Sequence, residues 1–272
     1  MGNDEKYNNF KISVPADFEE VFSHFYFAEN KTSEVITKIL LPSYQTILVF
    51  SLGTTISLRT KQNSEIILEK CLVLGPIKQA FSYSLPQNSE ILVANFKDDA
   101  FFRSFGNATV AENLPLDPDS LLDENCFTSL WKELSKMQGI NSRVNYILEF
   151  CRPYLKKQNN IIEQLTKFEQ QTLNPIKSVA SKQNQTERNI QINHKKHLGF
   201  SSKELNRYLR FLKAVKLVQQ ISLKSSKFDW FEIINECGYY DQSQLIHDFK
   251  HYINLSPSKY LKFQQDICNP KS

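Results

Sequence analysis

The back half of this chain repeats itself at a separation of 55 residues, and that repeat limits the fold more than any other feature. "GFSSKEL" (Gly199–Leu205) is echoed by "NLSPSKY" (Asn254–Tyr260). Ahead of these, Ile176, Val179, Thr186 and Ile190 are matched by Phe231, Ile234, Asp241 and Leu245. Each copy holds a short apolar helix, a polar turn and a Thr or Asp placed to cap a second helix. That second helix is longer and has a polar face, and after it come a break and a Ser-led restart. This pattern predicts a helix-turn-helix unit, written twice.

The second copy shows the design most clearly. "DWFEIINEC" (Asp229–Cys237) is the first helix, with Trp230, Phe231, Ile233, Ile234 and Cys237 as its expected buried face. Gly238 suits a left-handed cap, and Asp241 can cap a helix from Gln242 to about Ile253. Leu245, Phe249 and Tyr252 fall on one side of that helix, flanked by Ile246. Ser243, Gln244, His247, Lys250 and His251 point the other way. This outer face offers an amide, a hydroxyl, imidazoles and a cation, with no carboxylate near its centre and Asp248 to one side. A helix face meant only for water usually mixes Glu and Lys freely. A face meant for a major groove needs groups that reach base edges and phosphates. An ordinary solvated face is the alternative.

Between the copies runs "SKELNRYLRFLKAVKLVQQIS" (Ser202–Ser222). Leu205, Leu209, Leu212, Val215 and Val218 give it an apolar stripe, and Lys203, Arg207, Arg210, Lys213 and Lys216 make it basic. A rigid helix here would hold two recognition helices about 34 Å apart, one turn of B-DNA.

The front half has a different character. "TILVFSL" (Thr46–Leu52) and "TISLRT" (Thr55–Thr60) flank a very short gap, as in a hairpin. "EIILEKCLVL" (Glu65–Leu74) and "EILVANF" (Glu90–Phe96) are further strand-like runs, bounded by Gly75-Pro76 and "PQNS". Such spacing predicts a small barrel or sandwich. "DDAFFRSFG" (Asp98–Gly106) reads as a short helix with Asp98-Asp99 as caps. "DPDSLLDENCFTSLWKELSKMQG" (Asp117–Gly139) begins the helical part. In Asn141–Lys157, Val144, Ile147, Leu148, Cys151 and Leu155 form one stripe, a candidate dimer surface, with Pro153 ending or kinking the helix. No comparable strand-like run follows residue 140. The fold class is therefore α+β: a β-rich domain over 1–140, a connector helix over 141–158, and an all-helical double helix-turn-helix domain over 159–272.

Charge divides along the same line. Residues 1–140 carry 12 Lys+Arg and 18 Asp+Glu; residues 141–272 carry 21 and 11. A basic module joined to an acidic one suits a polyanion met by the back half alone.

The residues "CGYYDQSQLIHDFKHYINLSPSKYL" resemble the second helix-turn-helix of AraC/XylS-type bacterial transcription regulators. The resemblance rests on the Gly-aromatic turn, Asp-Gln-Ser opening the helix, Phe-Lys near its middle and Leu-Ser-Pro-x-x-Tyr after it. It covers roughly the last 100 residues, and "TERNIQINHKKHLGFSSKELNRYLRFLKAV" is similar to the first unit and linker. The front segments "LPSYQTILVFSLG", "LVLGPIKQAFSY", "ILVANFKDDAFFRSFG" and "SRVNYILEFC" resemble a sensor-type domain of unknown function in some such regulators. The resemblance implies a transcription regulator with double-stranded DNA as partner, a small-molecule effector, RNA polymerase and a second copy of the chain as further candidate partners, and a cytoplasmic location. Family members usually carry Arg in mid-recognition helix, where Ile192 and His247 stand here, and His194 occupies a core aromatic position.

Candidate base-edge contacts are then Gln242, Ser243, Gln244 and His247 in the second unit, and Glu187, Arg188 and Gln191 in the first. Lys195, Lys196, Lys250 and His251 are candidates for phosphates. The alternative function is a degenerate helix-turn-helix serving as a protein-interaction module, with Ile192 on the partner surface.

Other chemistries find little support. There is no G-x-G-x-x-G, P-loop or G-x-S-x-G, so no cofactor and no enzymatic activity are expected. His247 and His251 are spaced like a two-His metal face but lack a third ligand, and Lys195 and Lys196 disfavour cation binding by His194 and His197; no metal is expected. His24 reads as a core or surface histidine. The five cysteines are scattered, as in packed thiols of a reducing compartment. Phe18, Phe22, Phe25, Tyr26 and Phe27 fit either a core or an effector pocket. No run is long enough to span a membrane. "MGNDEKYNNF" lacks the apolar core of a signal peptide, and Lys6 spoils a myristoylation start.

Overall fold

"ILVFSL" and "SEILVANF" are apolar almost without alternation, and such strands need cover on both faces. They have it. The computed structural model describes residues 6–59, 64–106, 115–122, 125–168, 175–224 and 229–268. Among these, nine strands pair antiparallel in two sheets: β1 (Tyr7–Ile12), β2 (Phe22–Asn30), β3 (Ile36–Leu40), β4 (Ile47–Gly53), β5 (Ile56–Arg59), β6 (Glu65–Leu68), β7 (Cys71–Leu74), β8 (Phe81–Leu85) and β9 (Ser89–Phe96). One sheet runs β1-β2-β9-β4-β7, the other β3-β8-β5-β6.

Successive side chains of a strand face opposite ways, so β4 and β9 serve two cores. Ile47, Val49, Ile91 and Val93 pack with Ile56, Leu58, Leu68, Tyr83 and Leu85 of the smaller sheet. Leu48, Phe50, Leu92 and Ala94 pack against helices α1 (Ala100–Phe105), α2 (Cys126–Lys136) and α3 (Ile140–Cys151). The stripe offered as a dimer surface is inside this second core: Val144, Ile147, Leu148 and Cys151 are buried, and Leu155 packs at its edge. Phe18, Phe22 and Phe25 belong to the same core, and Phe27 is also buried. Tyr26 packs at the edge of the sheet–sheet core, its hydroxyl 3.2 Å from that of Tyr83. The aromatic cluster is thus structural.

Two expectations change. The gap after Leu52 is a sheet switch rather than a hairpin, because β4 pairs with β7 and β9 while β5 pairs with β6 and β8. Gly53 makes the crossing at φ +80, where an added Cβ would sit 2.2 Å from the Asn88 carbonyl oxygen. The run Glu65–Leu74 likewise splits at Glu69-Lys70, with β6 in one sheet and β7 in the other.

Asn30, at the end of β2, is buried and fully used. Its Nδ2 donates to the Glu34 and Leu85 carbonyls at 2.8 and 2.7 Å, and its Oδ1 accepts from the Thr32 amide and hydroxyl at 2.9 and 2.7 Å. Asn30→Ala should cost about 2–4 kcal/mol by leaving the buried Leu85 carbonyl unpaired and removing three part-buried bonds. Urea unfolding measures this, and a loss below about 1 kcal/mol would show those groups finding other partners.

Cys71, Cys126, Cys151 and Cys237 form no disulfide. Burial pushes the thiols of Cys71 and Cys151 up to about 12, as befits packed, unreactive side chains. No helix among the described residues is long and apolar enough to cross a membrane.

The chain forms two compact units, residues 1–201 and 202–272. The first also contains α4 (Asn160–Phe168), α5 (Pro175–Gln183) and α6 (Glu187–Leu198). The second contains α7 (Ser202–Lys224), α8 (Trp230–Cys237), α9 (Gln242–Ile253) and α10 (Pro257–Cys268). The repeat survives in the helix boundaries: helices starting at 175, 187 and 202 recur at 230, 242 and 257. In the second unit Phe211 of α7 lies near Phe249 and Tyr252, at 5.1 and 4.6 Å between ring centroids. Tyr208 meets Tyr252, and Phe249 meets Tyr260.

Candidate nucleic-acid interface

Local chemistry builds both turns as expected. The Thr186 hydroxyl accepts from the Asn189 amide at 3.3 Å, and the Asp241 carboxylate accepts from the Gln244 amide at 2.7 Å. Gly199 and Asn254 end α6 and α9 in the left-handed region, at φ 78 and 58. Gly238 ends α8 the same way.

In α9, Leu245, Phe249 and Tyr252 are buried as the periodicity requires. Ser243, Gln244, His247, Lys250 and His251 share an arc of roughly 120° opposite them, at 100° per residue. Gln242 is exposed but lies about 80° outside that arc. Gln244 also serves the turn. Its Oε1 accepts from the Tyr240 amide at 3.0 Å, closing the turn together with Asp241. That leaves its amide nitrogen and the second lone pair of Oε1 able to serve a ligand. The His247 and His251 rings are nearly parallel, 6.4 Å apart.

In α6, Glu187, Arg188, Gln191, Lys195 and Lys196 are all exposed. Ile192 is 56% exposed among them. His194 fills a core position. Its Nδ1 lies 2.8 Å from the Phe200 carbonyl, which can only accept, so that nitrogen donates. Its ring also packs edge-on against Phe200.

Three features differ from the sequence reading. Phe231 is 68% exposed, while Ile233, Ile234 and Cys237 are buried; it stands about 110° round the helix from the centre of that buried arc. In α7 the buried line runs through Leu205, Tyr208, Phe211, Ala214 and Val218, and Leu209 is 40% exposed. Asp99 makes no cap bond. It is buried, and its carboxylate accepts from Arg103 and Gln158 at 3.0 Å each and meets His197 Nδ1 at 3.2 Å.

Asp248 explains the carboxylate-poor face. It is buried, and its oxygens accept from Arg207 Nε at 2.6 Å and Arg210 Nη2 at 3.2 Å, both on α7. The partners lie 41 and 38 positions away in sequence, so no local pattern announces them. The face of α9 is thereby left to neutral and basic groups. Among the described residues, no three His, Cys, Asp or Glu side chains converge as a metal site.

Residues 223–262, which include α8 and α9, match the family of bacterial regulatory helix-turn-helix proteins, AraC family. The chain carries an AraC-family helix-turn-helix. No curated protein matches the chain. Among solved structures, ToxT from Vibrio cholerae is 14% identical, with a TM-score of 0.43 over 95% of this chain and 98% of that one. ToxT bound to (E)-4-(8-methylnaphthalen-1-yl)but-3-enoic acid is 12% identical, with a TM-score of 0.43 over the same shares. An rmlc-like cupin protein from Desulfovibrio desulfuricans is 12% identical, covering 35% of this chain and 85% of that one at a TM-score of 0.28. The AraC-family match lies on the second copy of the repeat, and α5–α6 reproduce its helix–turn–helix order in the first.

Proposed function

We propose that the chain is a sequence-specific DNA-binding transcription regulator of the AraC type, controlled through its β-rich front domain by a small molecule. The observation that carries this reading is the outer face of α9. It lies within the AraC-family segment, and Asp248, the one carboxylate inside the helix, is drawn into the core by two arginines. Ser243, Gln244 and His247 are assigned to base edges, with Gln242 as an outlying contact. Lys250 and His251 are assigned to phosphates. In α6, Glu187, Arg188 and Gln191 face bases, and Lys195 and Lys196 face phosphates. RNA polymerase and a second copy of the chain are proposed as further partners.

Support for control by the front domain comes from contacts within the first unit. Asp99 and Phe102 of the α1 region hold His197 of α6, and Tyr44, between β3 and β4, packs edge-on against Phe200 just beyond it. A shift of either element would be felt at the end of α6.

Fluorescence anisotropy with genomic DNA fragments tests the reading. Affinity should fall steeply between about 50 and 200 mM salt, with a slope near −0.9 per phosphate neutralised. Lys195→Ala with Lys196→Ala should lower that slope by about 2. A flat salt response would sink the assignment of these cations. Binding that survives combined Gln244→Ala and His247→Ala would remove the base-contact assignment.

A second reading, a protein-interaction module, is favoured by Ile192, which is exposed in the middle of the α6 face. DNA binding left intact by Ile192→Ser, with loss of a protein partner, would support it.

A further inference from the structure

The outer face of α9 does not end at its own side chains. Arg207 reaches it from α7. Its Nε donates to Asp248 Oδ1 at 2.6 Å, and its Nη2 lies 2.9 Å from His247 Nδ1. The Asp248 side chain is 1% exposed and held on its other oxygen by Arg210, while that of Arg207 is 31% exposed. Tyr252 lies beneath the guanidinium, its ring centroid 5.7 Å away.

Donor chemistry fixes the direction of the His247 contact. A guanidinium has five N–H groups and no acceptor, so Nδ1 of His247 must be the acceptor. The neutral ring then carries its proton on Nε2. His247 is exposed in the middle of the α9 face, so that N–H is the ring's group left to serve a ligand. The arginine is also prearranged. A free arginine side chain loses rotamer entropy when it is held, and here the Asp248 carboxylate already fixes its Nε edge.

We propose that Arg207 is a positioning residue for sequence reading: it holds His247 as an Nε2–H donor, and the pair together reads a hydrogen-bond acceptor on a major-groove base edge. The acceptors of that groove are the N7 and O6 atoms of guanine, N7 of adenine and O4 of thymine. The positive charge beside the imidazole favours guanine, whose two acceptors lie side by side. The proposal rests on the DNA reading above. It adds to the second unit a residue that lies on the linker helix, outside the recognition helix.

The test is a double-mutant cycle of Arg207→Ala and His247→Ala in the full chain, measured on the DNA sequence that the wild type selects from a random pool. Each single change should weaken binding roughly tenfold, the double should be little weaker than either, and the loss should be confined to one base-pair position. Arg207→Lys keeps the charge near Asp248 but loses the planar fork, and should also relax that position. Circular dichroism checks that each variant is folded. Nitrogen-15 NMR of the His247 ring gives a separate reading, with the proton expected on Nε2 in the wild type and redistributed in Arg207→Lys.

Independent, multiplicative losses spread evenly over all sequences would make Arg207 a phosphate contact and overturn the proposal. A His247 proton on Nδ1 in the wild type would overturn it too. If the wild type binds no DNA, the DNA reading falls and takes this proposal with it. If the wild type binds and Arg207→Lys reads sequence unchanged, this proposal alone falls.

Discussion

Phe249→Ala is expected to cost the 202–272 unit about 3–5 kcal/mol, enough to remove most of its stability. The side chain is buried at the centre of an aromatic cluster, with Phe211 at 5.1 Å and Tyr260 at 5.8 Å between ring centroids. Deleting it removes the transfer energy of a whole ring and leaves a cavity that helices α7, α9 and α10 cannot close without breaking their own contacts. A unit of this size has little reserve, since stability runs near ~0.05–0.15 kcal/mol per residue. Urea unfolding followed by circular dichroism should show the helical transition of this unit moving down by more than about 1 M. DNA binding should be lost with it at ordinary temperature. An unchanged midpoint would mean that Phe249 is not the keystone of the packing described for this unit.

Asp248→Ala is expected to cost about 3 kcal/mol, the low end for a broken buried ion pair. The low end applies because the Arg207 and Arg210 side chains are 31% and 24% exposed and can partly rehydrate. Removing the carboxylate leaves two guanidinium groups of α7 side by side at the seam with α9, with no anion between them. The repulsion acts on the same seam that positions His247. Stability and sequence selectivity should therefore fall together, unlike in the lysine variants of α6, where binding weakens evenly over all sequences and the salt slope falls. Combined Arg207→Met and Arg210→Met in the Asp248→Leu background should recover stability, because an apolar replacement of a buried ion pair is often neutral or better. It should not recover selectivity. A stable Asp248→Ala protein with wild-type selectivity would refute the role given to this carboxylate.

Much of the helical half was legible because its signals are local. Thr186 and Asp241 cap the helices the repeat predicts, and Gly199 and Asn254 end them in left-handed turns. What escaped was non-local. Nothing near Asp248 foretells arginines about 40 positions upstream, and nothing near Asp99 foretells His197 nearly 100 positions on. The same holds for the sheets. "ILVFSL" is a clear strand, but whether the chain then turns back or crosses over depends on Gly53 meeting the Asn88 carbonyl, a contact 35 residues distant. Periodicity also misjudged two helices, for physical reasons. Aliphatic residues at regular spacing suggested the α7 stripe, but the larger Tyr208 and Phe211 took the interior, leaving Leu209 outside. Phe231 is hydrophobic enough to suggest an inward place, but its angle on α8 turns it out.

Selection of bound sequences from a random double-stranded DNA pool by the full chain measures the central claim most directly. The expected result is a defined motif whose enrichment weakens with salt and whose strongest position is relaxed by His247→Ala. A pool that returns no motif, while the protein keeps its helical circular dichroism, would contradict a DNA-reading function for α6 and α9.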